Sequence, residues 1–523
     1  MRKKLISFIL VFLMFQIVMV GYDIRFIKNF DTIATSQNGE SNKLKTPKYI
    51  FLFIGDGMSY PQIQLTNYFL NAQENKKTFL DSKNRLKMMD FNISAAAQTY
   101  NSTSFIPDSA STATSIASGK KTRSGSINVS EDLSEKYETI AEKLKKQKDY
   151  KIGIITSANI NHATAAAFYA HQPSRKNYYD IGTEMIKSNF DYFAGGGLKD
   201  LKGDNNDKED LYKLSKKAGY KVVKTKKKVE NLTSNDGKVI IIPESLADSD
   251  SMNYSLDCKE GEWELADYLQ KGIDLLDNDK GFFIMTEGGK IDWACHANDA
   301  ATTIRDTIAL DNAVSKAVDF YNKHQDETLI IVTGDHETGG LTIGYSKTNY
   351  DTFLSNFNKQ KISYAKFNSD YISKYKKEKT SLEQVMNDVE TLFGLKIPKV
   401  KENSEGIMKD SADLHPEYSK DSTLVLTNYE YDKIKKAYDE TMTRTGEEME
   451  YSEEEYEMYG SYEPLTVTIT HILNNKCGVN FSSYAHTALP VSVLVKGVGE
   501  DSFNGYYDNT EIYNRLAKLV RVN

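Results

Sequence analysis

Apolar-rich runs recur along this chain at 49–54, 150–156, 281–286, 328–334 and 490–495. Short runs of this kind, without regular polar alternation, suit strands buried on both faces, as in a parallel sheet covered by helices. Between them the apolar positions switch to helical spacing at 137–146 and 262–276, and again at 382–392 and 429–443. Strand and helix patterns in alternation predict an α/β fold: one large, mostly parallel central sheet with helices on both faces.

The residues that follow these runs carry the chemistry. The first run ends in Gly55-Asp56-Gly57, the third in Glu287, and the fourth in Asp335-His336. Open α/β sheets bind ligands beyond the carboxyl ends of their strands, so three strands deliver acids or a histidine to one edge. Asp292 and His296 lie four apart in a helical pattern and share a face, where they can grip one ion. His486, just before the last run, can complete that ion's coordination. Carboxylate and imidazole donors without thiolates suit zinc with an open catalytic position. Cys295, beside this pair, is expected to pack as a small buried residue.

A nucleophile candidate stands at Ser109. Pro107 stops the preceding segment, Asp108 is a favoured N-cap, and the small residues that follow suit a tight helix. Free N–H groups and a partial positive charge at that helix start would face anything bound to Ser109. Such an environment helps a serine attack a phosphoryl group.

Composition narrows the classes. The chain of 523 residues can bury a large core, and 40% hydrophobic with 27% charged residues is ordinary globular composition. A net charge of −7 gives no basic footprint for nucleic acid, so no such partner is expected. An anionic substrate would need local positive charge from metals or a placed arginine. Three cysteines, Cys258, Cys295 and Cys477, cannot build a disulfide framework in a chain this long. Arg2-Lys3-Lys4 ahead of the apolar run 5–20 form the pattern of an export signal. Residues 1–22 are therefore expected to be a signal peptide or an N-terminal membrane anchor, and 23–46 a flexible linker. Both readings place the protein outside the cytoplasm: extracellular, at the cell surface or periplasmic. Gly21-Tyr22-Asp23 is not an A-x-A-like cleavage site, which keeps the tether open.

Taken in order, the motifs resemble those of the alkaline phosphatases. Gly55-Asp56-Gly57-Met58, Pro107-Asp108-Ser109-Ala110, Glu287-Gly288-Gly289 with Ile291-Asp292-Trp293 and His296, and Thr333-Gly334-Asp335-His336-Glu337 all carry the likeness, as do Thr164, Arg175 and His486-Thr487. It covers about 47–345 and about 480–500. The resemblance implies a phosphomonoesterase that uses two zincs and a magnesium. Ser109 would become phosphorylated, and Arg175 would clamp two phosphate oxygens. Asp292, His296 and His486 would hold one zinc; Asp56, Asp335 and His336 would hold the other, with the Ser109 oxygen completing it. Asp56, Thr164 and Glu287 would hold the third metal. His162 would join that third site, at a position where some members of the family carry aspartate and others histidine, and an imidazole suits magnesium poorly. The formal charge of such a site balances a phosphate monoester dianion. A phosphodiesterase or phosphotransferase on the same core is the alternative enzyme, and a non-catalytic surface binding protein the alternative of another class.

The stretch between His336 and His486 is far longer than a sheet connection requires. Within a catalytic domain at 47–523, residues 346–478 are expected to form an inserted cap or interface region, and its tyrosines interleaved with acids are candidates for a homodimer contact. The acidic run 447–457 is expected to be a solvated helical face. His171, His324, His415 and His471 fit no ligand spacing; His171, four residues before Arg175, stands nearest to a motif.

Overall fold

Fourteen strands are formed among residues 45–75, 83–397, 424–444 and 451–523, which are those that the computed structural model describes. They are β1 (Tyr49–Gly55), β2 (Ile93–Gln98), β3 (Lys151–Asn159), β4 (Tyr192–Gly196), β5 (Lys221–Val223), β6 (Val239–Ile241), β7 (Phe282–Gly288), β8 (Thr328–Gly334), β9 (Glu337–Thr338), β10 (Thr342–Ile343), β11 (Val479–Asn480), β12 (His486–Thr487), β13 (Val491–Gly497) and β14 (Tyr506–Asp508). Ten of them join in one sheet in the order β14-β2-β13-β8-β1-β7-β3-β4-β6-β5. The five apolar runs read from the sequence are β1, β3, β7, β8 and β13. The first four sit side by side in the middle of the sheet, where both faces are covered.

Strand alternation feeds two separate cores. Tyr49, Phe51 and Phe53 of β1 pack with Phe282, Ile284, Ile330 and Val332 on one face. Ile50, Leu52 and Ile54 pack with Phe283, Met285, Leu329 and Ile331 on the other. Helices Leu265–Leu276 and Ala300–Tyr321 cover the first face; Ser109–Ser118, Ile140–Lys148, Tyr178–Lys187 and Thr510–Val520 cover the second. Each large apolar side chain buried this way contributes roughly 1.5–3 kcal/mol.

All paired neighbours in this sheet are parallel except those of β13, which runs antiparallel to both β8 and β2. The chain enters β13 from the edge where β12 has just placed His486, so it must run back across the sheet. Parallel register levels the other ends: Gly55 of β1 faces Gly288 of β7 and Gly334 of β8. The polar residues at these strand ends therefore emerge on one rim.

The segment 346–478 contributes the helices Tyr364–Phe367, Ser373–Glu378, Leu382–Phe393, Asn428–Thr443, Glu453–Tyr459 and Pro464–Lys476 among its described residues. Its Val389, Phe393, Ile434 and Leu473 join the same apolar cluster as Phe51. Of the acidic run, 451–457 is described: Ser452 and Glu455 form a capping box at a helix start, where acids favour the helix dipole. Residues 447–450 and the proposed export segment 1–22 lie outside the described residues, as do most of the linker 23–46 and His415. No described helix is long and apolar enough to cross a membrane.

Candidate active site

The Ser109–Ser118 helix begins where the sequence places it. Asp108 has extended backbone and its Oδ1 accepts from Ser111 N–H at 3.2 Å, while Gly119 closes the helix in the left-handed conformation. Ser109 is buried at the helix start, its Oγ 3.2 Å from His336 Nε2 and 3.4 Å from Asp56 Oδ1. Gly57 makes this packing feasible. It adopts φ +72°, and a Cβ there would stand 2.9 Å from both the Asp292 Cα and the Thr338 hydroxyl.

Two groups of donors converge behind the serine. Asp56, Asp335 and His336 form one, with donor atoms within 4.8 Å of each other. His336 Nε2 lies 3.4 Å from Asp56 Oδ1 and 3.3 Å from Asp335 Oδ2. In the other, Asp292 Oδ1 is 3.4 Å from His296 Nε2 and 3.6 Å from His486 Nε2, and the two Nε2 atoms are 3.1 Å apart. His336 is near both groups, because its ring stacks on His486 at 3.6 Å. Ligands about 2.0–2.2 Å from a tetrahedral zinc stand roughly 3.3–3.6 Å from one another, so this spacing fits zinc.

Hydrogen bonding orients the imidazoles. His296 Nδ1 lies 2.6 Å from the Tyr484 carbonyl and His486 Nδ1 2.7 Å from the Pro107 carbonyl. A carbonyl only accepts, so each Nδ1 carries a proton, and the facing Nε2 atoms are left as a pair of acceptors. His336 Nδ1 lies 3.3 Å from Thr338 Oγ1, which donates to Asp292 Oδ1 at 2.6 Å. His336 Nε2 thus also turns a lone pair toward carboxylates. Acceptors facing acceptors need a proton or a metal cation between them. Burial opposes a charged His296, but the Asp292 carboxylate outweighs it and pushes its pKa up to about 9. Positive charge is what this position selects.

The third group is lined by oxygens. Thr164 Oγ1 lies 3.4 Å from Asp56 Oδ2. Both carboxylate oxygens of Glu287 are buried with no hydrogen-bond partner among the described residues. Burial pushes Glu287 up to about 7, with Thr156 and Thr164 partly offsetting it, and repulsion by Asp292 adds to the rise. Asp335 is pushed to about 7 by burial and Asp292, and Asp56 is raised by burial and Asp335. Carboxylates left in this condition fit divalent cations.

Arg175 reaches the site from a loop. Its Nη1 donates to Asp108 Oδ2 at 2.9 Å and its Nη2 stands 3.4 Å from His162 Nε2. His162 is half-buried, and its desolvation together with Arg175 drives its pKa down to about 3, so the ring is neutral. With Nε2 turned to the guanidinium, its Nδ1 has no partner among the described residues. The ring edge also meets Trp293 at 5.9 Å.

All eleven residues named from the sequence thus come together here, from strand ends, from the helices Ser109–Ser118, Ala163–Ala166 and Lys290–His296, and from loops. Sequence reasoning missed Thr338, which ties Asp292 to His336, and the Tyr484 and Pro107 carbonyls that orient two rings. Thr338 lies two residues after His336, a strand period that could have drawn notice. Carbonyl partners leave no trace in side-chain patterns. Cys295 is buried, its Sγ 3.5 Å from Thr303 Oγ1, and the three cysteines are free. His471 Nε2 lies 3.0 Å from Asn298 Oδ1, and His324 stacks on Phe320.

A family model described as alkaline phosphatase matches residues 47–522. "Alkaline phosphatase 4" of Bacillus subtilis is 28% identical, covering 90% of this chain and 88% of that protein. Among solved structures, the cold-active alkaline phosphatase of a psychrophilic Shewanella superposes with a TM-score of 0.69 at 24% identity, over 90% of this chain and 99% of that one. A histidine-to-glutamate variant of the alkaline phosphatase from the Antarctic bacterium TAB5, with magnesium bound in its M3 site, has a TM-score of 0.59 at 24% identity, over 92% and 100%.

Proposed function

The chain belongs to the alkaline phosphatase family, phosphomonoester hydrolases, and on that premise we propose that it hydrolyses phosphate monoesters through a phosphorylated Ser109 and releases inorganic phosphate. The observation that carries this reading is the facing of Nε2 lone pairs and buried carboxylates around the Ser109 hydroxyl, an arrangement that divalent cations would relieve. Asp292, His296 and His486 would hold one zinc, and Asp56, Asp335 and His336 a second. Asp56, Thr164 and Glu287 would hold magnesium, with His162 at the border of that site. What such ions supply when bound is Lewis acidity: a lower pKa for a neighbouring hydroxyl or water, and stabilisation of charge on oxygen.

The chain's own residues do the rest. Ser109 Oγ forms the bond to phosphorus as the ester P–O bond breaks, and the alcohol leaves. Water then attacks the phosphoserine, releases phosphate and restores the hydroxyl. The start of the Ser109–Ser118 helix favours the dianion. Asp108 holds Arg175 by one Nη1 contact, which leaves other N–H groups of the guanidinium for two phosphate oxygens. Asp108 also caps the serine's helix, so nucleophile and clamp are set by one carboxylate.

Export through the segment 1–22, as signal or anchor, belongs to the same proposal. So does a role for 346–478 in restricting access or in self-association. The test is turnover of an aryl phosphate monoester and of an aryl diester by purified protein with zinc and magnesium, before and after chelation. Monoester turnover that chelation abolishes and metals restore is expected. Diester preference, or chelation without effect, overturns the reading.

A further inference from the structure

His171 belongs to none of the three donor groups, yet it is tightly held. Its Nε2 lies 3.4 Å from Glu142 Oε2 and 3.1 Å from the Tyr137 carbonyl, and its Nδ1 lies 3.5 Å from Glu184 Oε2. Its backbone N–H donates to Glu184 Oε2 as well. Glu142 closes the capping box of helix Ile140–Lys148, and Glu184 sits on helix Tyr178–Lys187. Glu184 Oε1 accepts from Gln172 Nε2 at 3.0 Å and faces Lys136 Nζ at 3.5 Å. These are the charged groups around the ring.

A framework continues from there to the phosphate clamp. Gln172 and Ile127 exchange two backbone hydrogen bonds of 2.9 Å. Asn177 Nδ2 donates to Gln172 Oε1 at 3.0 Å. Arg175 N–H donates to the Gly125 carbonyl at 2.7 Å, and Gly125 N–H donates to Asp108 Oδ1 at 3.0 Å. The loop 171–177 is thus fastened at its start by His171, at its end by the helix that carries Glu184, and in its middle to the segment beside Asp108. The Tyr137 carbonyl only accepts, so Nε2 carries a proton; a neutral ring would then turn the Nδ1 lone pair on Glu184, whereas an imidazolium faces both carboxylates with positive charge. The side chain is 14% exposed, so water competes little for either contact.

We propose that His171, held as an imidazolium between Glu142 and Glu184, is a positioning residue that fixes the 171–177 loop and so aims Arg175 at the phosphate dianion. The inference rests on the clamp role proposed for Arg175. Burial works against a charged ring, but Glu142 and Glu184 outweigh it and push the His171 pKa up to about 9. Phosphate affinity should therefore carry a His171 contribution below that pH and lose it above.

The experiment measures KM and kcat on an aryl monoester, and inhibition by inorganic phosphate, for metal-loaded wild type, His171→Gln, Glu184→Gln and Arg175→Ala from about pH 7 to about pH 10.5. His171→Gln is expected to weaken phosphate inhibition and raise KM about tenfold near neutrality, with kcat within about twofold and metal content unchanged. Wild type should converge on the variant as its own ring loses the proton. Glu184→Gln should move the same quantities in the same direction, and it carries the test where His171→Gln yields no soluble protein. Equal losses of kcat and metal, unchanged phosphate inhibition, or a difference constant across pH would overturn the positioning role. If Arg175→Ala itself leaves phosphate inhibition unchanged, the clamp reading falls. If Arg175→Ala weakens it and His171→Gln does not, only this inference falls.

Discussion

Arg175 connects two clusters of charge, one buried and one half-buried, that are assembled in opposite ways. On one side, Asp56, Glu287, Asp292 and Asp335 crowd three imidazoles whose Nε2 lone pairs point inward, and both Glu287 oxygens lack partners among the described residues. On the other, His171 has a carboxylate for each ring nitrogen and Glu184 accepts from three groups. A protein gains nothing in stability by burying unpaired carboxylates together. The incomplete cluster therefore has the donor set of a cation site, and the complete one has its charges already matched. Strain of the first kind is what a binding site costs the fold.

Removing the nucleophile separates chemistry from charge. Ser109→Ala leaves every carboxylate and imidazole of the incomplete cluster in place, so metal content should stay near that of wild type while kcat falls by about four orders of magnitude or more. Trapping of phosphorylated enzyme and metal analysis check both halves; a mutant that keeps turnover would break the assignment. Next in size is metal removal. Ions bound at about a thousand times their Kd would stabilise the fold by about 4 kcal/mol each. Chelation should accordingly lower the melting temperature of wild type and of His171→Gln by similar amounts, since the complete cluster owes nothing to metal. An unchanged melting temperature would mean that the facing lone pairs are relieved by protons alone.

Much of this is legible in the amino-acid sequence. The five apolar runs became strands because they are buried on both faces, and their glycine-bounded ends put Asp56 and Asp335 level. Asp108 could be read as a cap because capping is local. β2, in contrast, is Ile93–Gln98 with three consecutive alanines, residues that favour helix, and it is a strand because β13 and β14 pair with it. The direction of β13 was equally hidden, since it follows from where β12 hands over the chain. At the site, residue types were visible but their tautomers were not. Those depend on the carbonyls of Tyr484 and Pro107, which any residue could supply. His171 shows the same limit: its partners come from helices on either side of it in the chain, and no spacing announces them.

Arg175 tests whether the two clusters are coupled. Arg175→Ala should weaken phosphate inhibition about a hundredfold, about 2.7 kcal/mol at 1.36 kcal/mol per decade, with zinc content kept. Loss of zinc along with phosphate affinity would instead put the guanidinium inside the metal framework through Asp108 and His162.

The smallest effect is a pH window on stability, and it isolates the complete cluster. An unfolded histidine titrates near about 6.5, while His171 in the fold is raised to about 9. A raised folded pKa stabilises in full below about pH 6.5, and the contribution is lost as pH rises through about 9. Glu142 and Glu184 set the other limit. Burial pushes both carboxyls up, but the His171 ring outweighs it and holds them below their usual range. Their contribution is present above about pH 4.3 and is lost as acid protonates them. Urea unfolding of metal-loaded wild type and His171→Gln should thus differ by about 2 kcal/mol between about pH 5 and about pH 7, and by progressively less toward pH 10. A difference that stays flat to pH 10 would mean that the ring is held neutral, and the two clusters would then share the same unmet need for positive charge.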